Sequence, residues 1–139
     1  MLEENYGISG WKKGEQCLHK LSQIKNALKA GDLDAILVAK PPNRRYLSGF
    51  TGTSGMLFLT PDANLLLTDF RYKDQAALQA PEYQIVLHSF PLVKTIQELV
   101  AKYGVKRLGL EKDFVTIAVY QEFQENLPGV DLVPVQDFC

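Results

Sequence analysis

Two histidines, two cysteines and one Gly-Thr-Ser-Gly stretch are the first places to look for chemistry in this chain of 139 residues. A hydrolytic metal centre needs several His, Cys, Asp or Glu ligands converging on one ion. His19 and His88 lack a carboxylate or second histidine at H-x-x-E or H-E-x-x-H spacing. Cys17 and His19 do not share a helical face, so both histidines read as packing or surface residues. Gly52-Thr53-Ser54-Gly55 invites comparison with a serine elbow, which needs glycine two residues before and two after the serine on a strand-to-helix turn. Met56 occupies the second of those places, and the segment runs from loop into strand. A phosphate cradle fails as well. No lysine lies between Gly49 and Met56, a strand follows, and no G-x-G-x-x-G occurs. Gly49, Gly52 and Gly55 read as residues that let the backbone turn tightly.

The charged candidates are Asp69, Arg71 and Glu111. Asp69 and Glu111 stand at the ends of expected strands, where α/β sheets present functional groups. Asp69 reads as a helix cap ahead of a catalytic acid, and Glu111 as a salt-bridge or surface acid. Arg71, just inside the following helix, opposes the helix dipole and so does not serve helix stability. It either forks onto a carboxylate of the same domain, Asp69 or Glu111, or faces outward toward a carboxylate of a substrate or partner.

The elements that position these residues follow from periodicity. Leu18, Leu21, Ile24 and Leu28 predict a helix from about Glu15 to Ala30, closed at Gly31. Asp34 to Ala39 predicts a buried strand ending at Pro41-Pro42. Asn43 to Gly55 reads as a polar, glycine-rich loop. Met56–Thr60 and Leu65–Thr68 form a hairpin around Pro61-Asp62-Ala63-Asn64. Asp69 to Ala80 is a helix, Gln84 to His88 a strand, and Leu92 to Tyr103 an amphipathic helix ended by Gly104. Arg107 to Glu111 is a strand. Thr116 to Leu127 is a helix with Ile117, Tyr120, Phe123 and Leu127 on one face, and Asp131 to Val135 is a last strand. Alternating βα units with one internal hairpin predict an α/β fold of three layers, with a mixed, mostly parallel sheet of about six strands and helices on both faces.

Composition narrows the function classes. Fifteen Lys and Arg against sixteen Asp and Glu leave a net charge of -1, which gives no long-range attraction to nucleic acid or anionic membranes. No apolar run reaches the ~20 residues of a membrane span. The polar start, residues 1–14, reads as a loosely held arm rather than a secretory signal, with Trp11 able to pack back. Two distant cysteines, Cys17 and Cys139, point to the cytoplasm rather than to a disulfide scaffold. The expected organisation is an arm at 1–14, one domain at 15–135, and the start of a linker at 136–139.

Asn43-x-x-Tyr46-Leu47-Ser48-Gly49-Phe50-Thr51-Gly52, followed by Thr68-Asp69-Phe70-Arg71-Tyr72, resembles two ordered blocks of the prolidase/aminopeptidase P/creatinase family. Asp32 to Ala39 and Gly109-Leu110-Glu111 resemble further strands of the same amino-terminal domain, so the likeness spans about residues 17–135. Phe70 departs from it, because a small residue is common at that place. The resemblance implies a ribonuclease-H-like domain that is not itself catalytic. It also implies two divalent ions, manganese, cobalt or zinc, in a separate carboxy-terminal domain absent from this sequence. That domain cleaves the bond before proline by metal-assisted attack of water. No cofactor is expected in this chain. The expected partners are that catalytic domain, a second subunit in a homodimer, and short proline-containing peptides. Arg71, Tyr46 and Phe50 are the expected substrate or interface contacts, with core packing the alternative for Tyr46 and Phe50. Asn43, Gly49, Gly52, Gly55, Asp69, Tyr72 and Glu111 are expected to build the frame. The competing readings are a stand-alone interaction module and the amino-terminal domain of a creatinase-type amidinohydrolase.

Overall fold

A computed structural model describes residues 24–26, 28–30, 33–88 and 91–135. Six strands form one sheet: β1 (Ala35–Val38), β2 (Met56–Leu59), β3 (Asn64–Thr68), β4 (Gln84–Leu87), β5 (Arg107–Glu111) and β6 (Asp131–Val135). Their order across the sheet is β4-β3-β2-β1-β5-β6. The hairpin makes β2 antiparallel to both β1 and β3, while the β3–β4, β1–β5 and β5–β6 pairs are parallel. The sheet is therefore mixed and mostly parallel, as the alternating pattern predicts.

Four helices lie whole within the described residues: α1 (Pro41–Ser48), α2 (Lys73–Gln79), α3 (Leu92–Tyr103) and α4 (Ile117–Asn126). Period-two alternation sends the strands' side chains to two separate cores. Ile36, Val38, Leu57 and Leu66 pack with Ile24, Leu28, Leu47 and Ala76 on one face. Leu37, Phe58, Leu65 and Leu108 pack with Ile96, Val100 and Phe123 on the other. The sheet thus lies between a layer holding α1 and α2 and a layer holding α3 and α4.

Most element boundaries agree with the periodicity to within a residue or two. The clear exception is α1, because Pro41 to Ser48 is helical where Asn43 onward reads as loop. Two prolines at N1 and N2 do not break a helix, since the first-turn N–H groups have no intrahelical acceptor. The helix closes on Gly49 in the left-handed region, φ 83°, whose N–H donates to the Arg45 carbonyl at 2.7 Å. A second difference lies after Asp69, where one 3-10 turn, Phe70–Tyr72, precedes the α-helix. On α4, Ile117 is 78% exposed despite its place in the apolar period, and Phe123 is the helix's buried residue. Of the first expected helix, Ile24 and Leu28 are helical and buried. Leu18, Leu21 and Gly31 lie outside the described residues, as do the arm at 1–14, Trp11, the linker start at 136–139, Cys17, His19 and Cys139.

Candidate functional site

Every parallel strand ends at the same edge of the sheet, and β2 begins there. Ala39, Gly55, Asp69, His88 and Glu111 therefore gather along one carboxyl edge. The chain leaves β1 toward β2 on one side and leaves β5 toward β6 on the other. The gap between β1 and β5 is thus a topological switch point, where open α/β sheets usually bind ligands.

Here the protein's own carboxylate fills that gap. Glu111 is 1% exposed. Its Oε1 accepts the N–H of Ala39 at 2.6 Å and of Lys40 at 2.8 Å, and its Oε2 accepts Asn43 Nδ2 at 2.9 Å. Burial pushes the Glu111 carboxyl above its ordinary range, and the three donors act against that rise. The surface-acid reading of Glu111 is therefore replaced by a buried clasp joining β5 to the start of α1. Of the two carboxylates that the sequence offers Arg71 within the domain, Glu111 is engaged by Ala39, Lys40 and Asn43, and Arg71 forks onto Asp69.

Arg44 is a buried cation that the sequence analysis does not single out. It is 6% exposed. Its Nη1 donates to the carbonyls of Ala39 at 3.2 Å and Gly55 at 2.9 Å, and its Nη2 donates to Gly52 at 2.7 Å. The guanidinium thus ties the middle and the far end of the glycine loop to the end of β1 from inside. Burial lowers its pKa first, neighbouring Arg45 adds to that, and Glu111 opposes it. A signal existed at the helix period. Arg44 and Leu47, three residues apart, are the buried pair on α1.

Phe50 lies beneath this loop and is fully buried. Its ring meets Tyr72 edge-on at 5.9 Å. A Cβ on Gly52 would stand 2.3 Å from Phe50 Cζ, so only glycine fits over the ring. The loop is also held from outside. Thr51 N–H donates to Gln79 Oε1 at 2.9 Å, Thr53 Oγ1 and the Tyr72 hydroxyl are 2.6 Å apart, and Thr68 Oγ1 donates to the Ser54 carbonyl at 2.6 Å. Tyr46 is half-buried and packs against the same core. Phe50 accordingly takes its packing alternative.

Asp69 caps the turn after β3 by accepting Arg71 N–H at 2.9 Å. Its two oxygens also receive Arg71 Nε at 3.1 Å and Nη2 at 2.9 Å, a forked pair. The Arg71 hydrogen bonds hold the Asp69 carboxyl down at about 2. The guanidinium carbon lies 5.2 Å from the Tyr72 ring centroid. Arg71 remains 74% exposed in its side chain, and neighbouring Phe70 is 77% exposed. The charge is thus oriented from behind and open in front.

Across the sheet edge lies an apolar hollow of about 540 Å³ lined by Leu37, Met56, Leu92, Leu110 and Phe123, with Glu111 at its border. Among the described residues no three His, Cys, Asp or Glu side chains group as metal ligands. The residues here do not fit a pair of divalent ions, and no step through a metal follows from them. Ser54 contributes its carbonyl to Thr68, and its place before β2 gives it no elbow geometry.

The fold and the site define an α/β domain with a polar, hydrogen-bonded carboxyl edge and no assembled catalytic set among its described residues. Residues 20–138 match the creatinase/prolidase N-terminal domain family, and the chain belongs to it. The peptidase YqhT of Bacillus subtilis is 33% identical over 118 residues, covering 85% of this chain and 33% of that protein. The chain therefore spans about a third of that relative's length. The solved Xaa-Pro dipeptidase from Bacillus anthracis is 30% identical with a TM-score of 0.80, covering 88% of this chain and 34% of its own. The solved aminopeptidase P chain from Streptococcus thermophilus is also 30% identical, with a TM-score of 0.79, covering 88% and 94%. Both superpose on the mixed six-stranded sheet described above. Among the described residues no helix is long and apolar enough to cross a membrane.

Proposed function

We propose that this domain serves a metal-dependent Xaa-Pro peptidase as a non-catalytic lid. In this reading it roofs the active-site cleft, helps to form a homodimer and limits substrates to short proline-containing peptides in the cytoplasm. The two divalent ions and the attacking water belong to a separate catalytic domain. A relative named as a peptidase and a solved Xaa-Pro dipeptidase, each about three times the length of the matched segment, support the division of labour.

The single observation that carries the contact role is the Arg71 guanidinium. It is forked onto Asp69, lies against Tyr72 and stays exposed beside Phe70. A planar guanidinium held from behind still offers N–H groups in front to a peptide carboxylate. Tyr46 and the loop from Gly49 to Gly55 give that charge a stiff surround, and an apolar wall lies on the other side of the edge. Arg71 acts on binding and not on bond cleavage. In the full-length peptidase, Arg71→Met is expected to raise KM for an Xaa-Pro dipeptide roughly tenfold with kcat kept, the order of one charge-assisted hydrogen bond. An unchanged KM, or a loss confined to kcat, would defeat the substrate-contact role.

A further inference from the structure

We infer that Phe70 sorts peptides by the side chain of their carboxy-terminal residue, favouring an apolar one over glycine. The inference rests on the carboxylate contact proposed for Arg71 and adds the class of substrate that this contact selects.

The turn after β3 sets the geometry. Phe70–Tyr72 is a single 3-10 turn. Such a turn holds three residues, so its side chains leave the axis about 120° apart. Tyr72 takes the inward direction. It packs against the core, meets Phe50 edge-on at 5.9 Å and holds its hydroxyl 2.6 Å from Thr53 Oγ1. Phe70 and Arg71 take the two directions that open to water, Phe70 at 77% exposure and the Arg71 side chain at 74%. An aromatic ring and a guanidinium thus stand side by side on a turn that Asp69 caps.

A guanidinium has two edges that match a carboxylate, one through Nε and one through its two terminal nitrogens. Asp69 occupies the first, taking Nε at 3.1 Å and Nη2 at 2.9 Å. The second edge, through Nη1, receives the peptide's terminal carboxylate. In a peptide that carboxylate and the last side chain share one Cα. A carboxylate docked on Arg71 therefore brings the last side chain over a neighbouring position of the turn. Of the two neighbours, Tyr72 is turned inward and Phe70 is the one that meets it. Glycine leaves the Phe70 ring wet. Leucine or proline covers part of its face and removes apolar surface from water. A single exposed apolar residue needs no explanation by itself. The held cation beside Phe70 is what gives the ring an occupant.

The test is competition against Ala-Pro hydrolysis by the full-length peptidase, with the dipeptides Ala-Leu and Ala-Gly as inhibitors. Their equal length places both carboxylates alike. Ala-Leu is expected to inhibit about fivefold more tightly than Ala-Gly, the low end for an apolar contact on an open surface. Phe70→Ala is expected to weaken Ala-Leu by about that factor while Ala-Gly changes less than about twofold. Phe70→Gln repeats the comparison with a polar side chain, should the alanine variant fail to fold. Arg71→Met weakens both inhibitors. An equal effect of the Phe70 variants on both dipeptides, or none on either, overturns the inference. It leaves the Arg71 contact standing when Arg71→Met still weakens both. Inhibition unchanged in Arg71→Met defeats that contact and the inference with it.

Discussion

Arg44 and Glu111 are the two charged side chains that the described structure takes almost wholly out of water. Each is held by several partners, which is the condition for burying charge without large penalty. Arg44→Met leaves the carbonyls of Ala39, Gly52 and Gly55 without their donor. It is expected to lower stability by about 2–3 kcal/mol in urea unfolding. Arg44→Lys should recover only part of this, because one ammonium cannot span three carbonyls as a planar fork does. Glu111 and Asp69 carry opposite pH signatures. Burial raises the Glu111 carboxyl above its ordinary 4.5, so its contribution is full at low pH and falls as pH rises through the folded value. Glu111→Gln removes that decline from the unfolding profile. Arg71 holds Asp69 at about 2, below its ordinary 3.8, so its contribution is present above 3.8 and is lost as pH falls toward 2. An NMR titration of Asp69 checks this directly. Arg71→Met is expected to return its midpoint to the ordinary carboxylate range.

The loop from Gly49 to Gly55 is a rigid element because α1, Phe50, α2 and β3 all grip it. Gly52→Ala drives a methyl into the Phe50 ring, 2.3 Å from Cζ, and is expected to destabilise by about 1–3 kcal/mol. Gly104→Ala, at φ 63° with open space around it, is expected to show only backbone strain of about 1 kcal/mol. Thermal melts of the two variants separate crowding from backbone preference. The central strands could be read from the sequence as short continuous apolar runs, and α3 because its apolar positions recur at three and four. α1 could not. Its prolines and polar residues hide a helix that buries little beyond Arg44 and Leu47. The clasp of Glu111 was equally hidden, since Ala39, Asn43 and Glu111 are joined only when β1 and β5 lie side by side. Arg71 and Asp69, two residues apart, were legible as a possible pair because the contact is local.

Taken as a molecule, the domain places its polar frame, its exposed guanidinium and its apolar hollow along one edge, backed by two dry cores. The family match and the superposed peptidases agree with the mixed six-stranded fold that carries them. The division of labour between this domain and a catalytic one is the central claim. Its most direct test is proline release from an Xaa-Pro dipeptide with manganese present, comparing the purified chain with the full-length peptidase. The expected result is turnover by the full-length protein and none by the chain. Turnover by the chain itself, abolished by a chelator, would contradict the account.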